Sequence, residues 1–109
     1  MKYLLAACIL FSGASFATSN QTGKITSLLT GPIYGDKLFF NVDGTINNKP
    51  SCHTNEHFDY VLDISTPSGQ AYMSLIMTAY AADKTVTVTG YDKCSIYIGV
   101  SNFRSINTK

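Results

Sequence analysis

A single helical stretch, set after three alternating segments and before two more, is the feature that most limits what this chain can become. Leu38, Phe40 and Val42 recur at every second position, and further on so do Phe58, Tyr60, Leu62 and Ile64. Strand side chains point alternately to opposite faces, so a period of two marks half-buried strands. The spacing predicts a first strand over residues 24–30, closed by Gly31-Pro32, a second over 37–43, closed by the Asp43-Gly44 turn signal, and a third over 58–64. Thr66-Pro67 reads as an N-cap with proline at the first helical position, and the helix is expected to run to about Ala82. The run TVTVTG at 85–90 is the fourth strand, with Val86 and Val88 inward and Thr85, Thr87 and Thr89 outward. Residues 95–100 are expected as the fifth, with Ile96, Ile98 and Val100 on one face, and residues 101–109 as a short final strand or an irregular tail. Three strands, a helix and two strands is the element order of the five-stranded OB barrel, so the expected fold is mainly β with one helix, an OB-fold-like barrel.

The N-terminus bears on compartment. Met1-Lys2 is a minimal positive region, the apolar stretch from Tyr3 to Phe11 is too short to span a bilayer, and Ser15-Phe16-Ala17 carries small residues where signal peptidase reads them. Residues 1–17 are therefore expected to be a signal peptide and 18–109 a single domain, secreted or periplasmic. Leu5-Ala6-Ala7-Cys8 matches a lipobox, but the apolar core ahead of Cys8 is too short for that route. Without Lys2, seven basic residues balance seven acidic ones. A neutral chain with no basic run gives no grounds for nucleic acid or an anionic membrane surface as a partner. Cys52 and Cys94 are the two cysteines that remain, and an even pair in an exported chain reads as a disulfide.

No charged residue occurs from Ile64 to Ala82. Ala71, Tyr72, Leu75, Ile76, Ala79 and Ala82 fall on one side of the helix at core spacing. The opposite side holds Met73, Met77 and Tyr80, where a solvated helix would carry Lys or Glu. An uncharged outer face asks for cover, so these three residues are expected at a subunit interface. An exposed, weakly polar helix is the alternative, since scattered apolar residues are common on surfaces.

Several runs carry a family likeness. Thr22-Gly23-Lys24-Ile25-Thr26-Ser27, the turn Thr30-Gly31-Pro32-Ile33, and Asp36-Lys37-Leu38-Phe39-Phe40-Asn41-Val42-Asp43-Gly44 resemble the first hairpin of the B subunits of subtilase cytotoxin and typhoid toxin. Ser74-Leu75-Ile76-Met77-Thr78-Ala79-Tyr80 with Lys84-Thr85-Val86-Thr87-Val88 is similar to their helix and fourth strand, and Ile98-Gly99-Val100-Ser101 to part of their closing strand. The resemblance implies an OB-fold homopentamer with helices around a central pore, a cell-surface glycan as ligand, often sialylated, and an enzymatic A subunit as partner. It also implies a sugar-contacting hydroxyl at Thr22, where those subunits have serine. Two departures stand out: Phe40 or Asn41 occupies the place of a cysteine in their second strand, and their long aromatic loop before the last strand is cut to Tyr91-Asp92-Lys93. Sugar specificity is therefore not carried over.

Read from the residues alone, glycan binding calls for aromatic faces and for hydroxyl, amide or carboxylate groups on loops. Tyr34, Tyr91, Asp92, Asn47 and Asn48 meet that description, although such residues are also ordinary loop formers. His53-Thr54-Asn55-Glu56-His57 matches the H-x-x-E-H pattern of a zinc protease family literally. That chemistry needs both histidines one turn apart on a helix, and this segment lies between Pro50 and a strand, so a plain polar loop is expected. Asp59 and Asp63 alternate with apolar residues and are expected on an outer face, solubilising the sheet. No catalytic set, cofactor or metal is expected from the sequence. Two functions compete: a glycan-binding, homopentameric subunit, and a periplasmic structural or stress-related OB domain acting alone or through a protein partner.

Overall fold

The computed structural model describes residues 18–108; the expected signal peptide and Lys109 lie outside them. Five strands and one α-helix form the framework: β1 (Ser19–Thr30), β2 (Lys37–Val42), β3 (Tyr60–Asp63), α1 (Pro67–Ala81), β4 (Thr85–Gly90) and β5 (Ser101–Thr108), with a short 3-10 turn at Pro32–Tyr34. The strands close into a barrel in the order β1-β2-β3-β5-β4, an OB-like arrangement that agrees with the fold class expected from the element order.

The first strand is longer than its apolar pattern. Its first half, Ser19 to Lys24, pairs antiparallel with β4, Ser19 opposite Gly90 and Lys24 opposite Thr85. Its second half pairs with β2, from Ile25 opposite Val42 to Thr30 opposite Leu38, with a register shift between Ile25 and Ser27. A bulge bends a strand and raises its twist, which lets one strand serve both sheets and close the barrel. The half that pairs with β4 reads Ser-Asn-Gln-Thr-Gly-Lys and has no apolar alternation to announce a strand. Gln21 is buried within it, donating from Nε2 to Val42 O (2.7 Å) and to Gly44 O, so its amide ties β1 to the end of β2.

The expected fifth strand is displaced. Residues 95–99 form a loop, Gly99 has φ of 82°, and Tyr97 bridges back to Val100. Ile98 is 86% exposed, which removes it from the face it was expected to share with Ile96 and Val100. The last strand is Ser101–Thr108, the strand alternative expected for residues 101–109, parallel to β3 through Tyr60–Ser101 and Val61–Asn102 and antiparallel to β4 beyond. A second register shift, between Thr89 and Gly90, sets Phe103 opposite Gly90 and into the core. Only Phe103 and Ile106 are apolar in β5, too few to show a period.

The barrel interior follows the alternation. Leu38, Phe40 and Val42 of β2 and Val86 and Val88 of β4 are all buried, with Tyr60 and Leu62 of β3. Phe39 and Val61 point to the other face of the sheet and are nonetheless fully buried. Together with Val100 they form a second cluster, covered by Leu29, Tyr34, Phe58, Ile96 and Tyr97. The Cys52–Cys94 disulfide, with Cα atoms 5.9 Å apart, joins the loop before β3 to the loop before β5 and holds this outer cluster's cover in place. A link across 42 residues stabilises by about 4 kcal/mol in the chain-entropy account.

Helix α1 begins as its sequence implies, with Thr66 Oγ1 accepting from Gly69 N at 2.9 Å and Pro67 at the first position. Its rotation differs from expectation. The buried positions are Gly69, Ile76 and Ala79, with Met73 half-buried against the core, while Tyr72 and Leu75 are 46% and 42% exposed. The cause is Gly69. A Cβ there would lie 2.0 Å from Asp63 O, so the glycine lets the start of the helix press onto the end of β3. Ile76 and Ala79 face inward as expected, and Gly69 and Met73 complete the stripe where Ala71, Tyr72, Leu75 and Ala82 were expected, because a periodicity count that scores large apolar residues passes over the glycine.

Candidate functional site

The residues singled out from the sequence fall in three places. Thr22 is exposed on β1, opposite Thr87 of β4, and the two hydroxyl oxygens are 3.0 Å apart. Tyr91 and Asp92 are exposed just after β4; Tyr91 N donates to Asn102 O (2.9 Å), and the Arg104 guanidinium carbon lies 5.7 Å from the Tyr91 ring centroid. Tyr34 lies elsewhere: its ring packs in the outer cluster, with centroids 5.2 Å from Phe39 and 6.4 Å from Tyr97. Packing of this kind makes the Tyr34 ring a structural cover rather than a freely presented face.

Strand register builds a surface around Thr22 that its sequence position alone does not suggest. Inward-facing Val86, Val88 and Gly90 turn Thr87 and Thr89 outward, and inward-facing Ser19 and Gln21 turn Asn20 and Thr22 the same way. One row across the sheet is Thr22, Thr87 and Asn107; the next is Asn20, Thr89 and Ser105. The second row is extended by Asn47, whose Nδ2 donates to Asn20 Oδ1 at 3.0 Å, and whose backbone bridges Asn20. Thr89 and Ser105 share a hydroxyl–hydroxyl hydrogen bond. Each hydroxyl has one donor and two acceptor sites, so one mutual bond leaves most of that capacity free for a ligand. The Lys24–Asp83 pair (3.0 Å) flanks this face beside the end of the β1–β4 pairing, and Tyr91, Asp92 and Arg104 follow beyond Gly90 and Phe103. The alternation of TVTVTG signals Thr87 and Thr89. Asn20, Ser105 and Asn107 have no such signal, because β1 begins in polar sequence and β5 lies outside the apolar run.

The α1 outer face is the second feature. Met77 and Tyr80 are 48% and 45% exposed, as the uncharged helix implies, whereas Met73 packs inward. Leu75 and Tyr72, expected in the core, instead line a cavity of about 270 Å³ against Phe103, Arg104, Ser105 and Ile106. The exposed apolar area on the helix is therefore wider than the sequence suggests. Among the described residues no helix is long and apolar enough to cross a membrane.

The histidine motif does not gather. His53 is buried, and its Nδ1 lies 3.0 Å from both the backbone N and the Oγ of Ser101. A backbone N–H only donates, so Nδ1 is the unprotonated ring nitrogen, already engaged. Burial holds the His53 pKa below its usual value, and Lys49 adds to this, while Asp59 and the backbone at Asn55 act the other way. Glu56 and His57 are exposed on the following turn, where Asn55 Oδ1 accepts from His57 N (2.7 Å). No group of three metal-ligating side chains occurs among the described residues. Asp63 is exposed as expected. Asp59 is half-buried, its Oδ2 accepting from Val42 N at 2.9 Å, so it ties the start of β3 to β2 rather than only solubilising the sheet.

The chain matches no family model, no curated protein and no solved structure.

Proposed function

We propose that this chain is a non-catalytic binding subunit, secreted or periplasmic, that takes a glycan on the outer face of β1, β4 and β5 and associates with copies of itself through α1. The observation that carries the ligand half is the pair of side-chain rows, Thr22–Thr87–Asn107 and Asn20–Thr89–Ser105, which contain no charge. A sugar offers several hydroxyls in a fixed pattern, and an array of hydroxyl and amide groups held on a rigid sheet matches such a pattern with little ordering cost. Tyr91, with the Arg104 guanidinium over one side of its ring at 5.7 Å, offers its other face next to Asp92. The association half rests on Met77 and Tyr80, joined by Tyr72 and Leu75, on a helix without a charge. A pentameric count, a cell-surface glycan and an enzymatic A subunit as partner rest on the resemblance of short sequence runs to toxin B subunits alone.

A glycan array followed by amide chemical-shift mapping tests the ligand half. Binding that moves the Thr22, Thr87, Thr89 and Ser105 amides supports the proposed face. An array with nothing above background removes the ligand. Mass photometry at micromolar concentration tests the association half, and a monomer favours the competing reading, an OB domain that works alone or through a protein partner.

A further inference from the structure

His53 sits where two loops are stitched together. Its backbone N donates to Pro50 O at 3.0 Å, and the next two residues, Thr54 and Asn55, both donate from their backbone N to Gly99 O at 3.0 and 2.9 Å. The imidazole accepts from Ser101, the residue at which β5 begins its parallel pairing with Tyr60. The two bonds to Gly99 are backbone to backbone and hold the seam between the loop 50–55 and the segment 94–100 beside the disulfide; the neutral Nδ1 adds the buried side-chain tie, to Ser101 directly after that segment.

We propose that protonation of His53 releases the segment 94–100 from the loop 50–55 while the Cys52–Cys94 disulfide keeps the two tethered, so that this end of the barrel opens in acid and recloses at neutral pH. An imidazolium carries a proton on both nitrogens, so its Nδ1–H would meet the Ser101 N–H donor to donor. The acceptor is lost and replaced by repulsion in a buried place. Two charged groups bear on the ring: Lys49, in its own loop, opposes protonation, and Asp59, before β3, favours it. From the covering segment comes Tyr97, whose ring is turned to Phe39 and Tyr34. Glu56, His57, Asp92 and Lys93 are exposed on the same two loops. Asn102 Oδ1 accepts from Ser95 N and Ile96 N, so the segment stays on β5 and keeps covering Phe39 with Ile96, Tyr97 and Val100, and the opening is confined to the seam with the loop 50–55. The inference does not depend on the glycan reading.

The test uses the intact, disulfide-bonded protein labelled for nuclear magnetic resonance and titrated from about pH 7.5 to about pH 4.5, a range that brackets histidine. The His53 ring is expected to titrate below the ordinary histidine range, as its burial implies. Protection of the Ser101, Thr54 and Asn55 amides against hydrogen exchange, corrected for intrinsic rates, should fall at least about tenfold along the same curve, while Val86 and Val88 keep theirs. In His53→Asn, whose side-chain carbonyl accepts in the place of Nδ1 and takes up no proton, the three amides should keep the same protection throughout. A His53 ring that stays neutral over the range overturns the proposal. So do amides that stay protected as the ring titrates, a loss shared by Val86 and Val88, or an equal loss in the Asn variant. Where that variant does not fold, the coincidence of ring and amide curves in the native chain decides.

Discussion

Gly69→Ala sets two ordinary effects against each other, and the structure decides between them. In an exposed helix interior, alanine is better than glycine by about 1 kcal/mol, because it has less backbone freedom to lose. At position 69 the new methyl would stand 2.0 Å from Asp63 O and 3.1 Å from Ile64 Cα, both main-chain atoms that cannot turn aside. Favourable carbon contacts begin near about 3.5 Å, so the start of α1 has to lift from β3 by more than about 1 Å. A gap of that size forfeits about a quarter to a half of each dispersion contact it opens. Overpacking of this kind costs about 1–3 kcal/mol, and Ile76 and Ala79, buried farther along the helix, lose part of their fit as well. After the propensity gain, a net loss of up to about 2 kcal/mol is expected. With a urea slope of about 1–1.5 kcal/mol per molar for a domain of this size, the unfolding midpoint should drop by about 1 M. Ser74→Ala, at an exposed helical position, serves as the propensity control and should move stability by less than about 0.5 kcal/mol. A midpoint that rises in Gly69→Ala refutes the close approach of α1 to β3 and with it the explanation of the helix's rotation.

Met77→Lys places a charge on the outer face of α1; monomer stability should change by less than about 0.5 kcal/mol, while any assembly that buries this face should dissociate, as sedimentation at micromolar concentration would show. Replacing Cys52 and Cys94 together by serine should lower stability by about 2–4 kcal/mol in thermal or denaturant unfolding, the cover of the outer cluster losing its tether. The pH dependence follows from the depressed pKa of His53: above about 6.5 both folded and unfolded chains hold it neutral, and below that the unfolded chain takes up the proton first. Its contribution to stability is thus complete above the unfolded pKa and declines as pH falls towards the folded one. The urea midpoint should fall over this interval in the native protein and fall less in His53→Asn.

Elements whose side chains alternate cleanly are legible in the sequence. Leu38, Phe40 and Val42, and Val86 and Val88, lie in the barrel as their period implies, and Thr66-Pro67 starts the helix where capping chemistry places it. The misplaced element is β5. Ile96, Ile98 and Val100 imitate a strand, but Gly99 turns the chain, and the real strand pairs through backbone groups that every residue has. Local pattern cannot distinguish a strand held by its neighbours' hydrogen bonds from a polar tail. The same reason hid the first half of β1, and with it the Asn20 and Ser105 row beside Thr22. Tyr34 shows the converse: an aromatic in a turn has the composition of a binding residue, and the fold uses it to cover Phe39.

Local chemistry along the chain was enough to specify a mainly β domain with one capped helix, a disulfide between its only two cysteines beyond the expected leader, and an uncharged helix face. Those properties depend on residues near in sequence or on simple pairing. Which strands meet, which way α1 is rolled, and what His53 accepts depend on contacts between segments far apart: Ser19 with Gly90, Gly69 with Asp63, His53 with Ser101. Each is a packing or hydrogen-bond solution reached by the barrel as a whole, since closing a sheet fixes register and stagger together.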